Sequence, residues 1–283
     1  MESLYDLAAS ALRTLLPFEW ASADYMIAPM LATLMVMPLT AMVGVVAVNG
    51  RMAFFTSAIA HSAFTGVALG VLMSTNPTWA MVVFGALLAL LVTWLQRRSA
   101  GSLDSLVGVV QTLSVAVGLV IVSAMRYQRL DQFLYGSVLW ATKADLAVLL
   151  AALLAVSAFM AAAYNRLLMI GLSPQLAKAW GIRTFMYEYL FSLTIAVIVM
   201  LGIQTIGVLL ISAAIIIPAA AGRNFAWSAG SMMWTSVAIS LASGVIGLAL
   251  SYQWESVTGG TIVMTAGGFF VLSVIYRWLV RRA

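Results

Sequence analysis

The chain has 283 residues, of which 64% are hydrophobic and 8% charged, with a mean hydropathy of +1.06. A soluble domain carries about 25% charged residues, so this composition is that of an integral membrane protein. The net charge of +5 does not point to nucleic acid, because the basic residues fall between apolar runs instead of forming a patch interleaved with aromatics, and the absence of cysteine excludes disulfides, thiolate metal sites and cysteine nucleophiles.

Residues 1–27 read as an extracytoplasmic N-terminal segment. The first 25 carry four acids and one arginine and lack the continuous apolar core of a signal peptide. From residue 28 to 283 the chain reads as one transmembrane domain. A hydrocarbon core about 30 Å thick asks for roughly 20 apolar residues per helix. That ruler places spans near 28–48, 54–73, 79–96, 105–125, 146–164, 186–203, 205–222, 231–252 and 259–280. Long apolar runs without alternating polarity select helices over a barrel, so the fold class is all-α. The count is eight to nine, since only "IQTIG" separates the sixth span from the seventh and one of them can be a half-span.

Two connections exceed a simple turn. The outer one, "RYQRLDQFLYGSVLWATKAD", is too short and too polar at its ends to span, yet "FLYGSVLW" is apolar enough to dip into the outer leaflet or pack on the bundle. The inner one, "GLSPQLAKAWGI", reads as a helix of about two turns. Ser173 is its N-cap, Pro174 takes the first helical position where a missing N–H costs nothing, and Gly181 suits the C-terminal stop.

Orientation follows from the basic residues. With the N-terminus outside and the C-terminus in the cytosol, ten of the fourteen Lys and Arg fall on the inner side, from Arg51, Arg97 and Arg98 through Arg166, Lys178, Arg183 and Arg223 to Arg277, Arg281 and Arg282. Arg13, Arg126, Arg129 and Lys143 fall outside, three of them close to Asp131 and Asp145.

His61 is the single histidine, and it stands at membrane depth in "FFTSAIAHSAFTGVALG". Ser57 lies four residues before it on the same helical face, with Ala60, Ala63 and Gly66 nearby. Either His61 simply hydrogen-bonds a neighbouring helix, or it belongs to a path for something polar. Ser212 and Pro218 interrupt the apolar run "IGVLLISAAIIIPAAAGR", where the proline removes a backbone bond and favours a kink. The seventeen methionines read as packing residues, since no methionine ladder joins a cysteine or a second histidine. There is no G-x-x-x-x-G-K-[ST] and no H-E-x-x-H, so the chain does not itself hydrolyse ATP by a P-loop or act as a zinc protease of that kind. Apart from Glu188 near a boundary, the spans hold no carboxylate, which argues against a pump built on buried acids.

Six stretches in order, "NGRMAFFTSAIAHSAFTGVALG", "LDSLVGVVQTLSVAVGLVIVS", "DQFLYGSVLWATKAD", "LSPQLAKAWGI", "GVLLISAAIIIPAAAGR" and "WESVTGGTIVM", resemble landmarks of the membrane subunit of zinc/manganese/iron ATP-binding-cassette importers. The resemblance covers roughly residues 28–280 and implies a fold like that of vitamin B12 and metal-chelate importer permeases. It implies an importer subunit in the bacterial cytoplasmic membrane, not an enzyme, paired with a second permease copy or relative. It implies a dimer of cytosolic ATPases that bind the ATP, and a periplasmic or lipid-anchored binding protein outside. The chain would hold no cofactor of its own.

Under the same resemblance, residues near 173–181 are the coupling helix, with Pro174, Gln175, Ala177, Lys178 and Gly181 at motif positions. Family members often have an acid where Gln175 stands. Ser57, His61 and Ser212 would line the substrate pathway, and His61 would be the metal ligand, facing its counterpart across the dimer axis. One departure stands out. The family's second span usually reads G-D-x-x-x-H, whereas Thr56 and Ser57 occupy the aligned positions here, so the carboxylate is missing. Two imidazoles without an anion suit Zn²⁺ better than Mn²⁺ or Fe²⁺. Zinc is therefore the expected cargo, with manganese, iron, a metal chelate or another solute as alternatives, and an intramembrane enzyme or a scaffold as remote ones.

Overall fold

The computed structural model describes residues 24–98, 103–125 and 143–280. Among the described residues the chain forms ten helices and no strand. They are α1 Asp24–Asn49, α2 Ala53–Leu72, α3 Pro77–Arg98, α4 Leu103–Met125, α5 Lys143–Leu172, α6 Pro174–Ala179, α7 Thr184–Ile206, α8 Val208–Phe225, α9 Ala229–Trp254 and α10 Thr258–Val280. Eight of these are long and apolar enough to cross a membrane. The remaining expected span is α8, whose 18 residues reach about 27 Å, slightly less than the hydrocarbon thickness.

The narrow expected break between the sixth and seventh spans contracts to one residue. Gly207 has φ 96° and ψ 156°, a conformation essentially reserved for glycine, and it separates α7 from α8. α8 then runs unbroken through Pro218. Other boundaries move as well. α1 begins at Asp24, so the expected division after residue 27 falls inside a helix, and α5 continues past residue 164 to Leu172, directly before α6. Residues 1–23 and the outer connection carrying "FLYGSVLW" lie outside the described residues.

α1 is the central helix. It packs against α5, α7, α8 and α9, and its apolar residues Met30, Val36, Met37, Leu39 and Val43 are buried. α2 sits between α3 and α4 and is backed by α7 and α8, while α8, α9 and α10 pack on one another. Lipid tails are as apolar as leucine, so close backbone approach and hydrogen bonds hold such helices together. Gly44 supplies one such approach: a Cβ there would lie 2.0 Å from the Ile215 carbonyl oxygen, so only glycine lets α1 meet α8 at this distance. Polar ties supplement the packing. Ser240 Oγ donates to the Met37 carbonyl at 2.8 Å, joining α9 to α1, Thr93 Oγ1 donates to Ser192 Oγ at 2.7 Å, joining α3 to α7, and Thr65 Oγ1 donates to the Ser114 carbonyl, joining α2 to α4.

Short-range contacts also gather one set of helix ends. Tyr164 donates to the Ala229 carbonyl at 2.5 Å, Asn49 approaches the Met232 sulfur at 3.4 Å, and Gly171 backs onto Gly50. The C-terminal ends of α1 and α5 and the start of α9 therefore share one end of the bundle with α6. Arg51, Arg166, Lys178, Arg183 and Arg223 lie there, and the ion pair of Arg97 with Glu188 brings the end of α3 to the same level. Lys143 begins α5, about 45 Å of helix away.

Candidate substrate path and coupling segment

α2 buries nearly its whole circumference. Phe55, Thr56, Ala58, Ile59, Ala60, Ser62, Ala63 and Thr65 are covered by neighbouring helices. What remains is a stripe at spacings of three, four and three: Phe54 is 56% exposed, and Ser57, His61 and Phe64 are half-buried. Such spacing defines one helix face. His61 is the ninth residue of the 20-residue helix, about 12 Å from its start and so near the middle of the span.

The expected sharing of a face by Ser57 and His61 is met, but the small residues lie elsewhere. At about 100° per residue, Ala60, Ala63 and Gly66 turn well away from His61. Ala60 and Ala63 are fully buried, and a Cβ on Gly66 would lie 2.7 Å from Met81 Cα of α3. Gly66 allows close packing of α2 on α3, and none of the three widens the passage beside the histidine.

The imidazole is oriented by its own helix. His61 Nδ1 lies 2.9 Å from the Ser57 carbonyl oxygen. A carbonyl only accepts, so in the neutral ring Nδ1 carries the proton and the Nε2 lone pair is left for an electrophile. A backbone carbonyl on the far nitrogen is the usual arrangement that orients a metal-binding histidine. Among the described residues no group of three His, Cys, Asp or Glu side chains converges, so the chain alone supplies one imidazole and not a complete metal cage. Ser212 is half-buried on α8, which packs against α2. It forms no hydrogen bond with Ser57 or His61 among the described residues.

The second constellation lies at the basic end. α6 is a six-residue helix at the expected position. Ser173 Oγ accepts from the Leu176 amide at 3.3 Å, and Pro174 opens the first turn. The Ile182 amide donates to the Ala177 carbonyl at 3.0 Å and the Gly181 amide to the Lys178 carbonyl at 2.9 Å, the paired bonds of a Schellman stop. Gly181 has φ 77°, the left-handed conformation this stop requires. Of the five expected coupling residues only Ala177 is buried, holding α6 to the bundle, while Pro174, Gln175, Lys178 and Gly181 are exposed.

Three residues not singled out from the sequence join them. Leu172, Leu176 and Trp180 are 86%, 51% and 72% exposed, giving the segment an apolar outer surface at the water-facing end. Their sequence signal is apolar character on and beside a helix too short to span. The mounting of this segment also went unread. Arg97 pairs with Glu188 at 2.5 Å and lies 5.1 Å over the Phe185 ring, and Arg166 donates to the Tyr187 hydroxyl. The start of α7, immediately after α6, is thus braced against both α3 and α5.

The pattern of the ABC 3 transport family matches residues 22–277. The chain belongs to this family. Among its relatives, the high-affinity zinc uptake system membrane protein ZnuB of Haemophilus influenzae is 32% identical over 252 residues, covering 88% of this chain and 97% of that protein. The manganese import system permease protein ScaB of Streptococcus parasanguinis is 27% identical over 223 residues, covering 78% and 80% respectively. The solved structure of PsaBC from Streptococcus pneumoniae in complex with Fab superposes with a TM-score of 0.78 at 24% identity, over 96% of this chain and 95% of that one, which establishes the shared fold. This family member is a multi-pass membrane permease and is not itself an enzyme.

Proposed function

We propose that the chain is the permease subunit of an ATP-driven importer of a divalent transition metal ion, with zinc as the cargo. The observation that carries this reading is the partly exposed stripe on α2, where His61 at midspan has its Nδ1 occupied by a backbone carbonyl and its Nε2 available. Two copies meeting along this stripe bring two imidazoles together at membrane depth. Zn²⁺ accepts nitrogen ligands readily, whereas Mn²⁺ favours carboxylate oxygen, which Ser57 does not supply. The zinc-uptake relative supports this choice. Manganese is the second reading, favoured by the manganese-import relatives at comparable identity.

In this reading α6 docks into a cytosolic ATPase through Leu172, Leu176 and Trp180, an exposed apolar surface of the kind that marks a protein contact. ATP binding between two ATPases moves α6, and the braced start of α7 passes the motion to α3 and α5. The basic end faces the cytosol by the positive-inside rule, so the N-terminus lies outside and the C-terminus inside the bacterial cytoplasmic membrane. A binding protein delivers the metal to the outer mouth.

Uptake of labelled zinc by cells carrying the complete transporter tests the assignment. His61→Ala lowers uptake roughly tenfold or more while the protein still reaches the membrane, since removing a ligand costs at least as much as removing a group that orients one. Unchanged uptake removes His61 from the path. Transport by the isolated chain in liposomes without an ATPase overturns the whole reading.

A further inference from the structure

A cleft of about 540 Å³ opens at the basic end between α1, α8 and α10, on residues that neither the path through α2 nor the α6 contact uses. Its walls are apolar, with Phe270 and Val274 from α10, and its mouth carries Arg223, Asn224 and Arg277. The polar groups are positioned. Asn224 Nδ2 donates to the buried Ser273 Oγ at 2.9 Å, which aims Asn224 Oδ1 at Arg277, and Arg277 donates to it at 3.0 Å. That bond engages one of five guanidinium N–H groups and leaves the rest for a ligand. Arg223, the residue before Asn224 on α8, is exposed and has no side-chain partner among the described residues. Neither α8 nor α10 contains a carboxylate; Glu255, the one acid after Glu188 in the sequence, ends α9 at the opposite end of the bundle, and Glu188 at the basic end is paired with Arg97.

We propose that this cleft is a binding site for an anionic phospholipid, with its phosphate held between Arg223 and Arg277 and its acyl chains along Phe270 and Val274. Charge complementarity and position decide the occupant. Two arginines with no counter-carboxylate favour a phosphate, the fork of each guanidinium matches its oxygens, and apolar walls below a basic mouth match the sequence of headgroup and acyl chain. Trp278 at the rim is the residue type that collects at headgroup depth. Basic pockets between helices on the cytoplasmic side recognise acidic headgroups, so under the orientation proposed above this site faces the anionic inner leaflet.

The test is native mass spectrometry of the full chain, purified with its ATPase in detergent and titrated with phosphatidylglycerol, phosphatidylcholine or inorganic phosphate. Phosphatidylglycerol is expected to bind about 30-fold more tightly than phosphatidylcholine, as two arginine contacts imply. Arg223→Gln and Arg277→Gln should each cut that preference to about fivefold, the share of the one remaining contact. Val274→Trp fills the cleft while keeping both charges, and it should abolish binding in a protein that still carries its ATPase. Equal binding of the two lipids, or a preference unaltered in all three variants, overturns the proposal. Displacement of phosphatidylglycerol by millimolar inorganic phosphate overturns it in favour of a soluble anion, and a disulfide-linked dimer of Val274→Cys in this cysteine-free chain overturns it in favour of a second copy. Binding in detergent is independent of which leaflet the cleft faces, so a reversed topology leaves this result standing and defeats only the orientation.

Discussion

Replacement of Gly181 isolates the contribution of one backbone conformation to the proposed coupling through α6. The residue sits at φ 77°, and a Cβ built there meets nothing within 4 Å, so the effect of a side chain is purely conformational. A residue other than glycine in the left-handed region costs roughly 1–2 kcal/mol, and asparagine less because its short polar side chain tolerates that region. α6 has only six residues, and its stop consists of two backbone bonds to Ala177 and Lys178. A penalty of this size therefore shifts the balance between intact and frayed α6 by roughly 5- to 30-fold. The expected order of zinc-stimulated ATPase activity in the reconstituted complex is glycine, then asparagine, then alanine, then valine. Hydrogen exchange at the amides of Gly181 and Ile182 should speed up in the same order, while the unfolding midpoint of the bundle stays in place. If Gly181→Ala matches the wild type, or Gly181→Asn is worse than Gly181→Ala, the Schellman stop is not what holds the coupling segment in shape.

Gly44→Ala tests the close approach of α1 and α8. Real Cβ atoms almost never come within 3.0 Å of a neighbour, and this one would start 2.0 Å from the Ile215 oxygen, so the helices must part by about an ångström. Overpacking of this kind costs about 1–3 kcal/mol, seen as a lower thermal midpoint of the purified permease, and an unchanged midpoint contradicts the packing described. Ser57→Asp places a carboxylate one turn from His61, and manganese uptake should rise relative to zinc in competition assays. A ratio that stays constant would show that residue 57 does not face the cargo.

Much of this protein was legible in its residues. Apolar runs of about 20 residues admit only helices in a bilayer, because every backbone group must be satisfied within the segment, and that constraint is local. Local chemistry also announced α6: Ser173, Pro174 and Gly181 each satisfy a requirement of a helix end that involves only near neighbours in the chain. The contraction of "IQTIG" to the single break at Gly207 was less accessible, since both flanks are helix-forming and only the backbone conformation of Gly207 separates α7 from α8.

The sequence by itself determined the class of molecule, the approximate spans, the place of the short helix α6 and the prominence of His61 and Ser57. The tertiary structure decided which face of α2 is left uncovered, because that depends on where α3, α4, α7 and α8 pack, and no periodicity within one uniformly apolar helix encodes it. It also decided that Arg97 meets Glu188 across 91 positions, and that Arg223 and Arg277 share a cleft although they lie on different helices. Helix formation is read from neighbours along the chain, whereas a site is made by neighbours in space.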